Sequence, residues 1–174
     1  MGVRTGTSPT HGHRMNASIL VLGLGNILMQ DEGIGVRVVE ALEQGWTFPE
    51  HVSLVDGGTC GMDMLDIIAS HRRMIVVDAV KTGAPPTTLV RLEGDAVPAF
   101  FKGKLSPHQV GLSDLLATLR LQDEGPESTV VIGCVPAGMQ ITLDLTPQVA
   151  ARVPELVGMV LAELRALGVE PAPR

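Results

Sequence analysis

The amino-acid sequence predicts a three-layer α/β/α domain around a doubly wound, mostly parallel five-stranded sheet, with one antiparallel strand and helices on both faces. Short apolar runs rich in β-branched residues alternate with helical patterns, which is typical of right-handed βαβ units. The chain has 174 residues, of which 45% are hydrophobic, and this suits one domain with a sizeable core. Because Tyr is absent and only three Phe and one Trp are present, that core must be aliphatic.

Five strands are predicted. Four runs are almost entirely apolar, as expected of strands buried on both faces: Ile19–Leu22, Val52–Val55, Met74–Val77 and Thr129–Ile132. The run Thr87–Leu92 alternates in polarity and follows two prolines, which favours an edge or antiparallel strand.

Four helices are predicted beside these strands. The first follows Asp31 and runs to about Gln44, and the second runs from near Thr59 to near His71. The third follows Ser106, and the fourth runs from near Pro147 to Gly168. Asp31 and Ser106 fit the N-cap position. After Ser106, Pro107 fits the N1 position and Gln109 the N3 position of a capping box. Pro154 is expected to kink the last helix or to mark its true start.

The domain is expected to span residues 18–168. Residues 1–17 are polar and unpatterned, so we expect a disordered tail, with Met15 as a candidate for the true start. Residues 169–174 contain two prolines and are expected to form a frayed end.

Charge and composition exclude several classes of partner. Thirteen basic and nineteen acidic residues give a net charge of −6, which argues against a nucleic-acid binder. No apolar run approaches the roughly 20 residues of a membrane span. Cys60 and Cys134 do not form a disulfide framework. We therefore expect a cytoplasmic monomer with neither nucleic-acid nor membrane partners.

The segment after the first strand superficially resembles a dinucleotide-binding loop. Leu28 stands where the third glycine is needed, and Asp31 and Glu32 would repel a pyrophosphate. Asp56 ends the second strand, where an acid could bind a ribose, so a nucleotide-binding domain stays open as an alternative. Asp56 could equally cap the turn made with Gly57 and Gly58, or support a site.

Acids and one histidine follow the other strand ends. Ligands of such sheets bind beyond the carboxyl ends of the strands. If the first and third strands are neighbours, Glu32 and Asp78 lie together there. His108 is near a helix N-terminus, where the dipole favours a neutral imidazole. These three could bind Ni²⁺ or Zn²⁺ with open coordination positions, although each alone also suits an ordinary polar role.

Several sequence blocks resemble the nickel–iron hydrogenase maturation endopeptidases. They are Gly23–Leu28, Asp31–Val36, Asp56–Thr59, Asp78-Ala79 and Ser106–Gln109, and they occur in the family's order. The resemblance extends from about Ile19 to Gly168. The run Leu105–Asp114 is most similar to the branch serving uptake hydrogenases 1 and 2, whereas Ala137–Gln140 departs from the more acidic loop of close relatives.

The resemblance implies a single peptidase domain over 18–168, an aspartyl-type or metal-dependent endopeptidase. Such enzymes remove a C-terminal extension from the nickel-loaded large-subunit precursor. The family's metal-binding residues fall on Glu32, Asp78 and His108. Our own hypothesis adds that Asp56 could orient a water or a ligand. The nickel is thought to belong to the precursor, so the resemblance implies neither a resident metal nor a nucleotide.

Other hypotheses stay open beside this one. The same three ligands could hold zinc in an ordinary hydrolase, or the domain could bind nickel and precursor without cleaving. Cys60 could act as a nucleophile with His108, although a small buried cysteine is the ordinary interpretation, as for Cys134. Phe100 and Phe101 could anchor a loop or hold the precursor.

Overall fold

A computed structural model describes residues 17–58, 64–102 and 110–174. The strands in this part of the chain are β1 (Ile19–Leu24), β2 (Trp46–Thr47), β3 (Val52–Gly58), β4 (Arg73–Ala79), β5 (Leu89–Glu93), β6 (Ser128–Cys134) and β7 (Ala172–Pro173). The helices are α1 (Ile34–Gly45), α2 (Leu65–Ala69), α3 (Ala96–Lys102), α4 (Val110–Leu121), α5 (Pro147–Ala150) and α6 (Val153–Ala166), with a 3₁₀ turn over Gln30–Gly33.

The main sheet has five strands in the order β3-β1-β4-β6-β5. The first four are parallel to their neighbours, and β5 runs antiparallel to β6 at the edge. The first and third predicted strands are β1 and β4, and they are neighbours with Gly23 opposite Val77. The predicted fold class is therefore confirmed.

Two aliphatic clusters cover the two faces of the sheet. Alternation along β1 sends Val21 into the cluster beneath α1 and α6, and Leu22 into the cluster beneath α2, α3 and α4. Each fully buried Leu or Ile contributes roughly 1.5–3 kcal/mol to stability. Among the buried hydrophobic residues of the described chain, Phe101 is the single aromatic one, as the aliphatic composition predicts.

The helix boundaries differ from prediction at several places. The first helix begins at Ile34, because the residues around Asp31 form the 3₁₀ turn. The short helix α3 is an addition that the sequence pattern did not indicate. Pro154 lies in the first turn of α6, which confirms it as a helix start. The predicted starts near Thr59 and at Ser106 lie outside the described residues.

The C-terminal end is ordered, so the prediction of a frayed end over 169–174 is wrong. Gly168, at φ +85°, turns the chain back after α6, and Val169 is buried. β7 then pairs antiparallel with β2, and the Arg174 N–H donates to the carbonyl of Gly45 at 3.0 Å. The predicted N-terminal tail, apart from Ala17, lies outside the described residues. Within them, no helix has the length and apolar character needed to cross a membrane.

Candidate active site

Asp78 is a fully buried acid at the carboxyl end of the central strand β4. It lies opposite Gly133 of β6, and its side chain is 0% exposed. Its Oδ1 accepts a hydrogen bond from the Ala79 N–H at 2.7 Å. Burial of a carboxylate is costly unless polar groups surround it, so an acid is unusual directly after the buried apolar residues of Met74–Val77.

Two glycines bring Glu32 to the same edge as Asp78. At Gly25, φ is +117° and an added Cβ would lie 1.7 Å from the carbonyl oxygen of Glu32. At Gly35, an added Cβ would lie 2.0 Å from the carbonyl oxygen of Val77, the neighbour of Asp78. Only residues without Cβ allow these approaches. The 3₁₀ turn therefore packs directly on the end of β1, and the start of α1 packs on the end of β4.

Glu32 itself is partly buried, and its backbone N–H donates to the carbonyl of Met29 at 3.2 Å. No described residue donates a hydrogen bond to its carboxylate. His108 lies outside the described residues, and within them no three His, Cys, Asp or Glu side chains are grouped closely enough to hold a metal. The two carboxylates of the predicted ligand set are thus at one edge, and the place of the imidazole stays a prediction.

Asp56 lies two residues before the end of β3, the strand beside β1, and is exposed. Its Oδ1 accepts a hydrogen bond from the N–H of Gly58 at 2.9 Å, and Gly58 has φ +46°. This is the turn-capping role that the sequence indicated. Its role in supporting the site stays a prediction.

The long-range hydrogen bonds of Asp31 were not identified from the sequence. It does not cap α1 as predicted; it is 0% exposed and points into the loop that follows β6. Its carboxylate accepts hydrogen bonds from the N–H groups of Ala137, Gly138 and Thr146 and from the Thr146 hydroxyl. These partners lie 106 to 115 residues further along the chain, so no local signal could have identified them.

Cys134 and Phe101 are core residues. Burial raises the pKa of the Cys134 thiol to about 11, which makes it a poor nucleophile at neutral pH. Phe101 is 4% exposed and packs in the α2–α4 cluster, so the hypothesis that it holds the precursor is wrong. The side chain is buried because α3 turns it towards the sheet. Cys60 lies outside the described residues.

A cleft of about 450 Å³ lies between α3 and α4. Thr129, near the amino end of β6, lines it, and Asp78 ends β4, which runs parallel to β6. The cleft therefore opens at the opposite edge of the sheet from Glu32 and Asp78.

Comparison with known proteins decides the family. Residues 36–163 match the family model described as hydrogenase maturation protease. The chain belongs to the hydrogenase maturation protease family. It is 46% identical to the hydrogenase 2 maturation protease of Escherichia coli over 158 residues, covering 90% of this chain and 96% of that one. It is 41% identical to the hydrogenase expression/formation protein HupD of Rhodobacter capsulatus, covering 87% of this chain and 73% of that one.

A solved structure supports the assignment. The hydrogenase maturating endopeptidase HybD from Escherichia coli is 46% identical and has a TM-score of 0.86, covering 90% of this chain and 97% of that one. The chain is therefore a hydrogenase maturation protease, a hydrolase of peptide bonds. The match of the family model includes Asp56, Asp78 and His108 and begins four residues after Glu32.

Proposed function

We propose that this hydrogenase maturation protease removes the C-terminal extension of the nickel-loaded large-subunit precursor and recognises the nickel carried by that substrate. Glu32, Asp78 and His108 bind the nickel of the precursor, and Asp56 orients a water or the peptide. The membership of the family supports the reaction, and the resemblance of the sequence blocks supports the three ligands.

One observation carries the assignment of the site. The 3₁₀ turn that bears Glu32 packs on the end of β1 through Gly25, and α1 packs on Val77 through Gly35. These contacts bring a partly buried and a fully buried carboxylate to one edge of the sheet, where parallel α/β sheets bind their ligands. Two oxygen donors and an imidazole suit Ni²⁺ and leave positions for groups of the substrate.

The chemistry of cleavage follows from such a docked ion. A divalent ion can polarise the scissile carbonyl or lower the pKa of a water that attacks it. The protein residues fix the ion and, through it, the peptide bond beside it. Asp56 is exposed at the end of the adjacent strand β3, where its carboxylate could accept a proton or a hydrogen bond from that water.

Incubation with purified nickel-loaded precursor tests this proposal, with the products weighed by mass spectrometry. We expect one shortened large subunit and one short C-terminal peptide. If the protein binds the precursor but does not shorten it, the proposed protease activity is contradicted and a non-catalytic module that binds nickel and precursor is favoured. Stoichiometric zinc that survives dialysis of the purified protease would favour a zinc hydrolase instead.

The cytoplasmic location and the monomeric state belong to the same proposal. They rest on the absence of a disulfide framework in the sequence and on the single-domain length. Sedimentation of the protease at micromolar concentration should give the mass of one 18.3 kDa chain; a dimer mass would contradict the monomer.

A further inference from the structure

We propose that Asp31 is a positioning residue, which fixes the backbone that carries Glu32 by binding the loop between β6 and α5; this inference rests on the proposed role of Glu32. The loop comprises residues 135–146. Asp31 acts through Glu32 and does not contact the substrate itself, since its carboxylate is 0% exposed.

The carboxylate of Asp31 accepts hydrogen bonds from residues of this one loop. Oδ2 accepts from the N–H groups of Ala137 at 2.9 Å and Gly138 at 2.8 Å. Oδ1 accepts from the N–H of Thr146 at 2.8 Å, and the Thr146 hydroxyl lies 3.1 Å from Oδ1 and 2.9 Å from Oδ2. Several N–H donors stabilise an ionised carboxylate, so this buried group is well accommodated.

The backbone around Asp31 is tied to the same loop. The Asp31 N–H donates to the carbonyl of Gly138 at 3.3 Å, and the Gln30 N–H donates to the carbonyl of Thr142 at 3.0 Å. Gln30 has φ +52°, a conformation that a non-glycine residue keeps only where its surroundings impose it. The loop thus holds the turn through the backbone of Gln30 and Asp31 as well as through the Asp31 side chain.

Glu32 depends on this arrangement because its own side chain is not anchored by any described residue. Its position depends on the backbone of the 3₁₀ turn. Gly25 packs against the carbonyl of Glu32, and the loop binds the N–H groups of Gln30 and Asp31. A misplacement of about 1 Å in a catalytic group can cost about 100-fold in rate. Loss of the Asp31 hydrogen bonds should therefore displace Glu32 and lower the rate of precursor cleavage.

The first test compares Asp31→Asn with Leu164→Ala in the full-length protease. Asn replaces one carboxylate oxygen with an NH₂ group, which donates and cannot accept. Either the N–H of Thr146 or the N–H groups of Ala137 and Gly138 therefore lose their acceptor. We expect kcat/KM for precursor cleavage to fall at least about tenfold. Leu164 is buried in α6, so Leu164→Ala should lower the melting temperature but leave kcat/KM within about twofold at temperatures where both variants are folded.

The second test separates positioning from general destabilisation. Binding of nickel-loaded precursor is measured for Asp31→Asn, Glu32→Gln and the double variant. If Asp31 acts through Glu32, the double variant binds no more weakly than Glu32→Gln alone, because coupled residues are not additive. Thr146→Ser, which keeps the hydroxyl, should retain activity that Thr146→Val loses.

The outcomes are distinguishable. A wild-type protease that does not cleave the precursor would overturn the proposed function. If the wild type cleaves and Asp31→Asn loses no more kcat/KM than Leu164→Ala, the positioning role is overturned. The positioning role is also overturned if the fold-losses in precursor binding of Asp31→Asn and Glu32→Gln multiply in the double variant. Multiplication would show that the two residues contribute independently.

Discussion

The carboxylate of Asp31 accepts hydrogen bonds from both the N–H and the hydroxyl of Thr146, 115 residues further along the chain. Thr146 is also the N-cap of α5, where its hydroxyl accepts from the N–H of Val149. Thr146 therefore caps α5 and also binds the 3₁₀ turn that contains Glu32. The turn after β1 and the loop after β6 therefore meet at the edge of the sheet where we place the active site.

Glu32→Gln and Asp78→Asn should abolish precursor cleavage while the protein stays folded. Each change keeps the shape of the side chain but removes the anionic oxygen that a nickel ion needs. We expect a loss of at least about 100-fold in kcat/KM, measured by mass spectrometry of the products. Glu43→Gln, an exposed change at the far end of α1, is the control and should cleave normally. Normal cleavage by Glu32→Gln would remove Glu32 from the site.

Gly35→Ala should destabilise the protein, and Gly158→Ala should not. An added Cβ at Gly35 meets the Val77 carbonyl at 2.0 Å, whereas none of the surrounding atoms lies within 4 Å at Gly158. We expect Gly35→Ala to cost about 1–3 kcal/mol of unfolding free energy. Gly158→Ala in α6 should gain up to about 1 kcal/mol, since Ala favours helix. Urea unfolding followed by circular dichroism measures both, and equal stabilities would argue against the close packing of α1 on β4.

Phe101→Ala should lower stability by about 3–5 kcal/mol, because it leaves a cavity in the α2–α4 cluster. Phe100 is only partly buried, so Phe100→Ala should cost less. Thermal unfolding compares the two variants. If Phe101→Ala keeps wild-type stability but binds the precursor more weakly, Phe101 contacts the precursor and is not a core residue.

The fold was predictable because its central strands, β1 and β4, are buried on both faces and form apolar runs that are followed by glycine or an acid. The first and third predicted strands were expected to be neighbours from the usual 2-1-3 strand order of doubly wound sheets, and the pairing of β1 with β4 confirms it. Asp31 could not be placed, since its partners are remote in the sequence. The C-terminal strand was missed because Pro171 and Pro173 indicate an irregular end, whereas β7 is a two-residue edge strand that tolerates proline.

Cys134 should remain unreactive in the native protein and should make stability fall at alkaline pH. Burial raises the pKa of its thiol from 9.0 to about 11. The folded state therefore holds the proton more tightly, and this stabilisation is present below pH 9 and is lost as the pH rises towards 11. In a Cys60→Ser background, iodoacetamide at pH 8 should label the protein only after urea is added. Cys134→Ala should flatten the fall in stability above pH 9; an equally steep fall would exclude the thiol as its cause.

Precursor cleavage with and without nickel tests the central claim most directly. Nickel-loaded and nickel-free forms of the same large-subunit precursor are incubated with the wild-type protease, and the intact masses are followed over time. Recognition of the substrate's nickel by Glu32, Asp78 and His108 predicts that only the loaded form loses its C-terminal extension. Equal rates of shortening for the two forms would contradict it.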